Sequence, residues 1–161
     1  MGSMKITDFE SKQPRFKLEE FFSGRLRGWG VTLTRFESFQ NQFRIEAQGS
    51  WDASTRTLVL REIYTFDDSH VDTLTWTILK KDAATYEGRE ARIDGGADGE
   101  QAGNAFHWKY TRDVPAADGS SAKIGFDDWF WLQDEKIMIA HASLTKLGVE
   151  VATLNAFYQK I

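Results

Sequence analysis

The sequence has no cysteine, only two prolines and three histidines. No apolar run approaches the length needed to cross a bilayer as a helix. Without cysteine there is no disulfide, no iron–sulfur cluster, no thiolate zinc site and no thiol nucleophile. His70, His107 and His141 lie far apart and make no metal-ligand spacing, so no metal or other cofactor is expected. Basic residues are in deficit: 20 Lys and Arg against 24 Asp and Glu give a net charge of −4. The positive footprint that a nucleic-acid partner requires is missing. The expected partner is instead a small hydrophobic molecule or lipid, with no integral membrane segment.

What is present is a globular composition, 41% apolar and 14% aromatic, over 161 residues, enough for one domain with a substantial core. The leading MGS reads as an expression remnant ahead of Met4. MKITDFESKQ lacks the apolar centre of a signal peptide. A cytoplasmic location is the expectation, with a trimmed leader in the precursor left open. Residues 1–15 read as a polar, loosely held arm and residues 16–161 as the domain. In FKLEEFFS, 16–23, Leu18, Phe21 and Phe22 fall at helical spacing before Gly24. A helix that short must dock its phenylalanines on something.

From there the period is two almost to the end. Strands are expected over 25–37 (broken at Gly28-Trp29-Gly30), 41–51, 57–66, 72–80, 84–93, 101–113, two strands across 121–146, and 149–160. DGGADGE, 94–100, reads as a glycine-rich corner. About nine long strands in simple order, joined by short turns, describe an antiparallel up-and-down β-barrel. The fold class is therefore all-β, a single antiparallel barrel with a short N-terminal helix closing one end.

The densest stretch is SSAKIGFDDWFWLQDEKIMIAHASLT, 121–146. Alternation puts Ile124, Phe126, Asp128, Phe130 and Leu132 on one face, and Asp127, Trp129 and Trp131 on the other. A strand apolar on both faces needs cover on both. Asp128 then sits among apolar neighbours, and must be paired, hydrogen-bonded, neutral or beside a wet cavity. It either orients a ligand or acts as a base, or it is simply satisfied by an arginine or amide. Adjacent Asp127 and Asp128 point to opposite faces and cannot form a catalytic dyad.

The same argument applies to Arg61-Glu62, of which one faces inward: an arginine for a carboxylate head group, or a glutamate seeking a tyrosine or arginine. Tyr64 on the same strand joins the candidates. Trp76, flanked on its face by Leu74 and Ile78, and Asn104, Trp108 and Tyr110, which share a face with Phe106, read as pocket lining or barrel core. His141 reads as an acid–base group or a haem ligand, or as a satisfied, partly buried histidine, which is the more common case. Trp129 and Trp131 either stack on a ligand or pack against the N-terminal helix, and packing is the expectation. No phosphate loop, dinucleotide fingerprint or Gly-x-Ser-x-Gly elbow occurs.

Several motifs carry a family resemblance over roughly residues 57–160. They are Tyr86-Glu87-Gly88; Gly95, Gly96, Ala97 and Gly99; GNAFHWKY at 103–110; FDDWFWLQD at 126–134; and Lys146 with Gly148. In order and spacing they resemble the uncharacterised bacterial DUF3833 family. Thr75 stands where members often carry a basic residue, so no anion contact carries over there. The family brings no assigned activity, though the lipoprotein character of some relatives leans towards lipid. The short helix before a strand with Gly28-Trp29 is also similar to the lipocalin and calycin layout.

The expected function is binding of an apolar or amphipathic molecule, of lipid, fatty-acyl or isoprenoid type, in the barrel without chemistry. Two alternatives remain. One is an isomerase or hydrolase using Asp128 or Glu62, and the other is a structural domain with a packed interior. An interior cavity of about 300 Å³ or more separates the first two from the last.

Overall fold

The structure, a computed structural model, describes residues 3–161. Ten strands close into one antiparallel barrel. They are β1 (Gly24–Thr34), β2 (Phe39–Asp52), β3 (Thr57–Phe66), β4 (Val71–Lys80), β5 (Thr85–Arg89), β6 (Ala97–Ala102), β7 (Ala105–Pro115), β8 (Ser121–Leu132), β9 (Ile137–Lys146) and β10 (Val149–Lys160). Each pairs with its neighbours in sequence, and β10 pairs with β1 from Leu26↔Lys160 to Thr34↔Ala152 to close the ring. The up-and-down barrel expected from the period-two pattern is the fold observed.

The extra strand comes from the glycines. The stretch expected as one strand over 101–113 is the hairpin β6–β7, turned at Gly103 with a positive φ of 53°. Part of the expected corner at 94–100 is strand β6. Gly99 lies in that strand because a side chain there would stand 2.4 Å from the Trp108 ring. Gly88 on β5 faces the same ring, with its would-be Cβ 2.5 Å away. Likewise β1 is not broken at Gly28-Trp29-Gly30: a Cβ on Gly30 would lie 2.4 Å from Phe43. These glycines make room for aromatic rings rather than turns.

The helix is shorter than the sequence suggests. α1 is Leu18–Phe21, one turn, with Leu18, Phe21 and Phe22 all buried against the end of the barrel where β1 begins. It is fixed by polar contacts as well as by its rings. Buried Glu19 is ion-paired with Lys80 and accepts a hydrogen bond from the Tyr86 hydroxyl at 2.7 Å. Lys160 Nζ donates to the Glu20 and Ser23 carbonyls at 2.8 and 3.0 Å, satisfying orphan acceptors at the helix end.

From residue 3 on, the arm ahead of it runs over the barrel surface. A 3₁₀ turn, Ile6–Phe9, lies on the outer wall, where Phe9 packs at 5.6 Å from Trp129 and 6.0 Å from Trp131. His107 stacks on Trp129 at 4.2 Å. The two-sided apolar strand β8 is thus covered inside by the core and outside by the arm. Trp129 and Trp131 pack on Phe9 of the arm and not on the N-terminal helix expected to cover them.

Candidate functional site

Below the barrel's waist the interior is solid. Phe16, Phe22, Phe106, Phe130 and Tyr158 form a continuous aromatic cluster over α1, with centroid separations of 5.8–6.5 Å along its contacts. Above it the interior is hollow. A cavity of about 580 Å³ runs from a floor at Leu18, Phe22, Phe106 and Phe130 to the opposite rim, where His70, Gln40 and Ala116 line it. Small residues on β9 and β10, Ala140, Ala142 and Ala152, leave that volume unfilled. The packed-interior alternative therefore describes only the lower half.

The wall is mostly apolar, with polar groups gathered in two places. At the waist, Glu62 and Asp128 both point inward, buried at 6% and 8% exposure. Glu62 Oε2 accepts hydrogen bonds from Tyr158 at 3.1 Å and Tyr64 at 3.5 Å, and the two phenols are 3.2 Å apart. Asp128 Oδ2 accepts one from Tyr110 at 3.2 Å, while its Oδ1 has no partner. Burial lifts Glu62 to about 7 against the weaker opposing pull of its two tyrosine hydrogen bonds. Burial likewise lifts Asp128 to about 8, and the charge of Glu62 adds to the lift. The three tyrosines, also desolvated, are raised well above their ordinary value and stay protonated donors.

The second polar group staples the wall. β5 and β6 are short, so β4 pairs with β5 only from Thr77 to Lys80, and the upper parts of β4 and β7 face each other across a gap. Arg112 on β7 crosses it. Its guanidinium donates to both Asp72 carboxylate oxygens at 2.7 and 2.8 Å and to Glu90 Oε1 at 2.9 Å. A bidentate arginine at 2% exposure is well suited to this. The segment after β5 closes the rest of the gap through the Ile93↔Arg112 bridge, and Trp76 and Tyr110 meet edge-on at 5.0 Å.

The expected site residues divide accordingly. Glu62, Tyr64, Trp76, Trp108, Tyr110 and Asp128 come together around the cavity. Arg61 does not: it is exposed on the outer face, because Leu58 and Leu60 set the inward parity of β3 and Glu62 shares it. His141 also faces outward, on the parity opposite to buried Met138, Ala140 and Ala142, and hydrogen-bonds Asn155 Oδ1 at 2.8 Å. That placement removes it as an interior acid–base group or haem ligand. Asn104 sits in the β6–β7 turn, where its Nδ2 donates to the Leu132 carbonyl at 3.0 Å; it ties down the turn and does not line the cavity. Asp127 turns outward, 2.5 Å from His107 Nε2.

Three interior residues were not anticipated. Arg112 continues the parity of Phe106, Trp108 and Tyr110, Asp72 continues that of Leu74 and Trp76, and Tyr158 lies on the inward parity of β10. Parity alone would have found them.

A closed antiparallel barrel, plugged by a one-turn helix and hollow above it, is a lipocalin-like barrel. The chain belongs to the family described as protein of unknown function DUF3833, which matches residues 1–160. Two solved structures are similar in fold. One is a DUF3598-family protein of unknown function from Nostoc punctiforme, 14% identical with a TM-score of 0.63, covering 93% of this chain and 51% of that one. The chain thus spans about half the length of that protein. The other is the S-type phycobiliprotein lyase CpeS from Guillardia theta, 10% identical with a TM-score of 0.63, covering 91% and 93% of the two chains. No curated protein matches the sequence. No helix among the described residues is long and apolar enough to cross a membrane.

Proposed function

We propose that this protein binds one small apolar or amphipathic molecule in the upper half of its barrel. The observation that carries the reading is the cavity itself. About 580 Å³ is a normal size for a small-molecule site. Its wall is largely apolar, and two inward carboxyls with their tyrosine partners gather at the waist. The similarity of fold to a phycobiliprotein lyase supports the general idea of a barrel that handles a small molecule. Lipid, fatty-acyl and isoprenoid molecules all remain within the class.

The test is a fluorescence titration with N-phenyl-1-naphthylamine, a neutral apolar dye. Saturable binding at one site per chain, with quenching of tryptophan emission through Trp76 and Trp108 in the wall, is the expected result. A flat titration contradicts it.

One observation favours a second reading. Asp128 and Glu62 carry raised pKa values beside the cavity, the property of a general acid or base. Under that reading a carbon acid bound there exchanges hydrogen with solvent. Deuterium uptake by a bound ligand that vanishes in Asp128→Asn would support it.

A further inference from the structure

Resting on the reading of the cavity as a binding site, we infer that its ligand is an amphiphile whose polar end is a protonated nitrogen, seated at the waist between Glu62 and Asp128. The first argument is the inventory of charge. Glu62, Asp72 and Asp128 line the cavity, with Asp68 at the mouth. Arg112 is the only arginine or lysine among the lining residues. Its charge is already paired: each of its three nitrogens donates to Asp72 or Glu90. A carboxylate or phosphate head therefore finds no lysine or arginine in the wall that is not already paired.

The second argument is an unmet hydrogen bond. Asp128 is 8% exposed, lines the cavity, and its Oδ1 has no partner. A buried polar atom left unpaired is costly, and a donor arriving with the ligand removes that cost. The third is the surroundings of that oxygen. Tyr110 stacks on Phe126 at 4.8 Å and meets Trp76 edge-on at 5.0 Å, so aromatic rings frame the position. Such rings attract a cation once water is excluded. Below the waist the floor is phenylalanine, while the hollow above accepts the chain of the amphiphile.

A consequence distinguishes this head group from any other. With the cavity empty, burial holds Asp128 protonated at neutral pH. An ammonium group entering beside it ionises the carboxyl, and the proton passes to the buffer. Binding of a neutral molecule of the same length moves no proton.

The experiment is calorimetric titration at pH 7 with dodecylamine, dodecanol and dodecanoate, each below its micelle concentration, in two buffers of different ionisation enthalpy. An alkylamine is fully protonated there. The expected result is binding of dodecylamine at least about tenfold tighter than dodecanoate, a difference of about 1.4 kcal/mol. The amine should show a buffer-dependent enthalpy and dodecanol none. In Asp128→Asn the amine should lose its advantage and its proton release, while dodecanol binds as before. Dodecanol binding also certifies that the variant is folded, and Glu62→Gln provides a second variant in which the amine should lose part of its advantage while the proton release from Asp128 persists.

Equal or tighter binding of dodecanoate overturns this inference and leaves the cavity reading standing. So does amine binding without proton release, or amine binding unchanged in both variants. Failure of all three molecules to bind overturns both.

Discussion

The two halves of the barrel are built from the same ten strands and differ in what the inward positions carry. Below the waist those positions hold Phe106, Phe130, Leu132, Met138 and Tyr158, closed from beneath by Phe16, Phe21 and Phe22. Above it they hold Ala142, Ala152, Thr32 and Asn41, with carboxyls and tyrosines between. Strand length and closure set the width of the tube. Side-chain volume alone decides whether a given level is core or cavity. The lower half therefore supplies stability. The upper half holds desolvated acids that stability alone would not select, since burying a carboxyl is costly.

The largest effects should come from below. Phe22→Ala, at 2% exposure on the cavity floor, should cost about 3–5 kcal/mol in urea denaturation, the range for truncating a buried phenylalanine. A loss under about 1 kcal/mol would show that the two halves do not differ as described. In the upper half the comparable change is not apolar. Arg112→Met leaves Asp72 and Glu90 facing each other without their cation and should cost about 3 kcal/mol. Replacing Asp72 at the same time, as Asp72→Leu, should recover part of that loss. A double variant as weak as the sum of its parts would mean that Arg112 does not act through Asp72.

The waist should reveal itself through pH. Asp128 ionises near 3.8 when unfolded and about 8 when folded, so between those values the folded state binds more protons. Stability should then fall as pH rises from about 4 to about 8, by at most about 1.4 kcal/mol per unit for each such carboxyl. Glu62, raised from 4.5 to about 7, acts in the same direction over a narrower window. Asp128→Asn should flatten the profile. A wild-type profile that rises with pH across this range would contradict the burial of both acids.

How much of this was legible in the sequence depends on the half considered. Alternation placed Trp76, Trp108, Tyr110 and Asp128 inside, because each sits in a run of apolar neighbours of one parity. It failed where both parities look alike. On β3, Val59, Arg61 and Ile63 alternate with Leu58, Leu60 and Glu62, and only the closed barrel, in which Leu58, Leu60 and Glu62 are the buried set, decides between them. Glycine misled in a consistent way. At Gly30 and Gly99 the missing side chain is space for Phe43 or Trp108, a three-dimensional fact that local sequence renders as a break or a corner. The Arg112 staple joins β4 to β7 across two short strands, and nothing local announces that pairing. The outer cover of β8 was expected from its composition, but the residue that supplies it, Phe9, lies in a segment too polar to mark it.

The smallest expected change in stability gives the most direct test of the hollow upper half. Ala142→Phe places a ring into the cavity from β9, at the level of Asp128. Because it fills space rather than crowding a packed core, it should shift stability by no more than about 1 kcal/mol, less than the usual cost of overpacking. Titrated with N-phenyl-1-naphthylamine beside the wild type, it should be folded and fail to bind, while the wild type binds one dye per chain. Equal binding by both proteins would place the dye elsewhere and contradict the account.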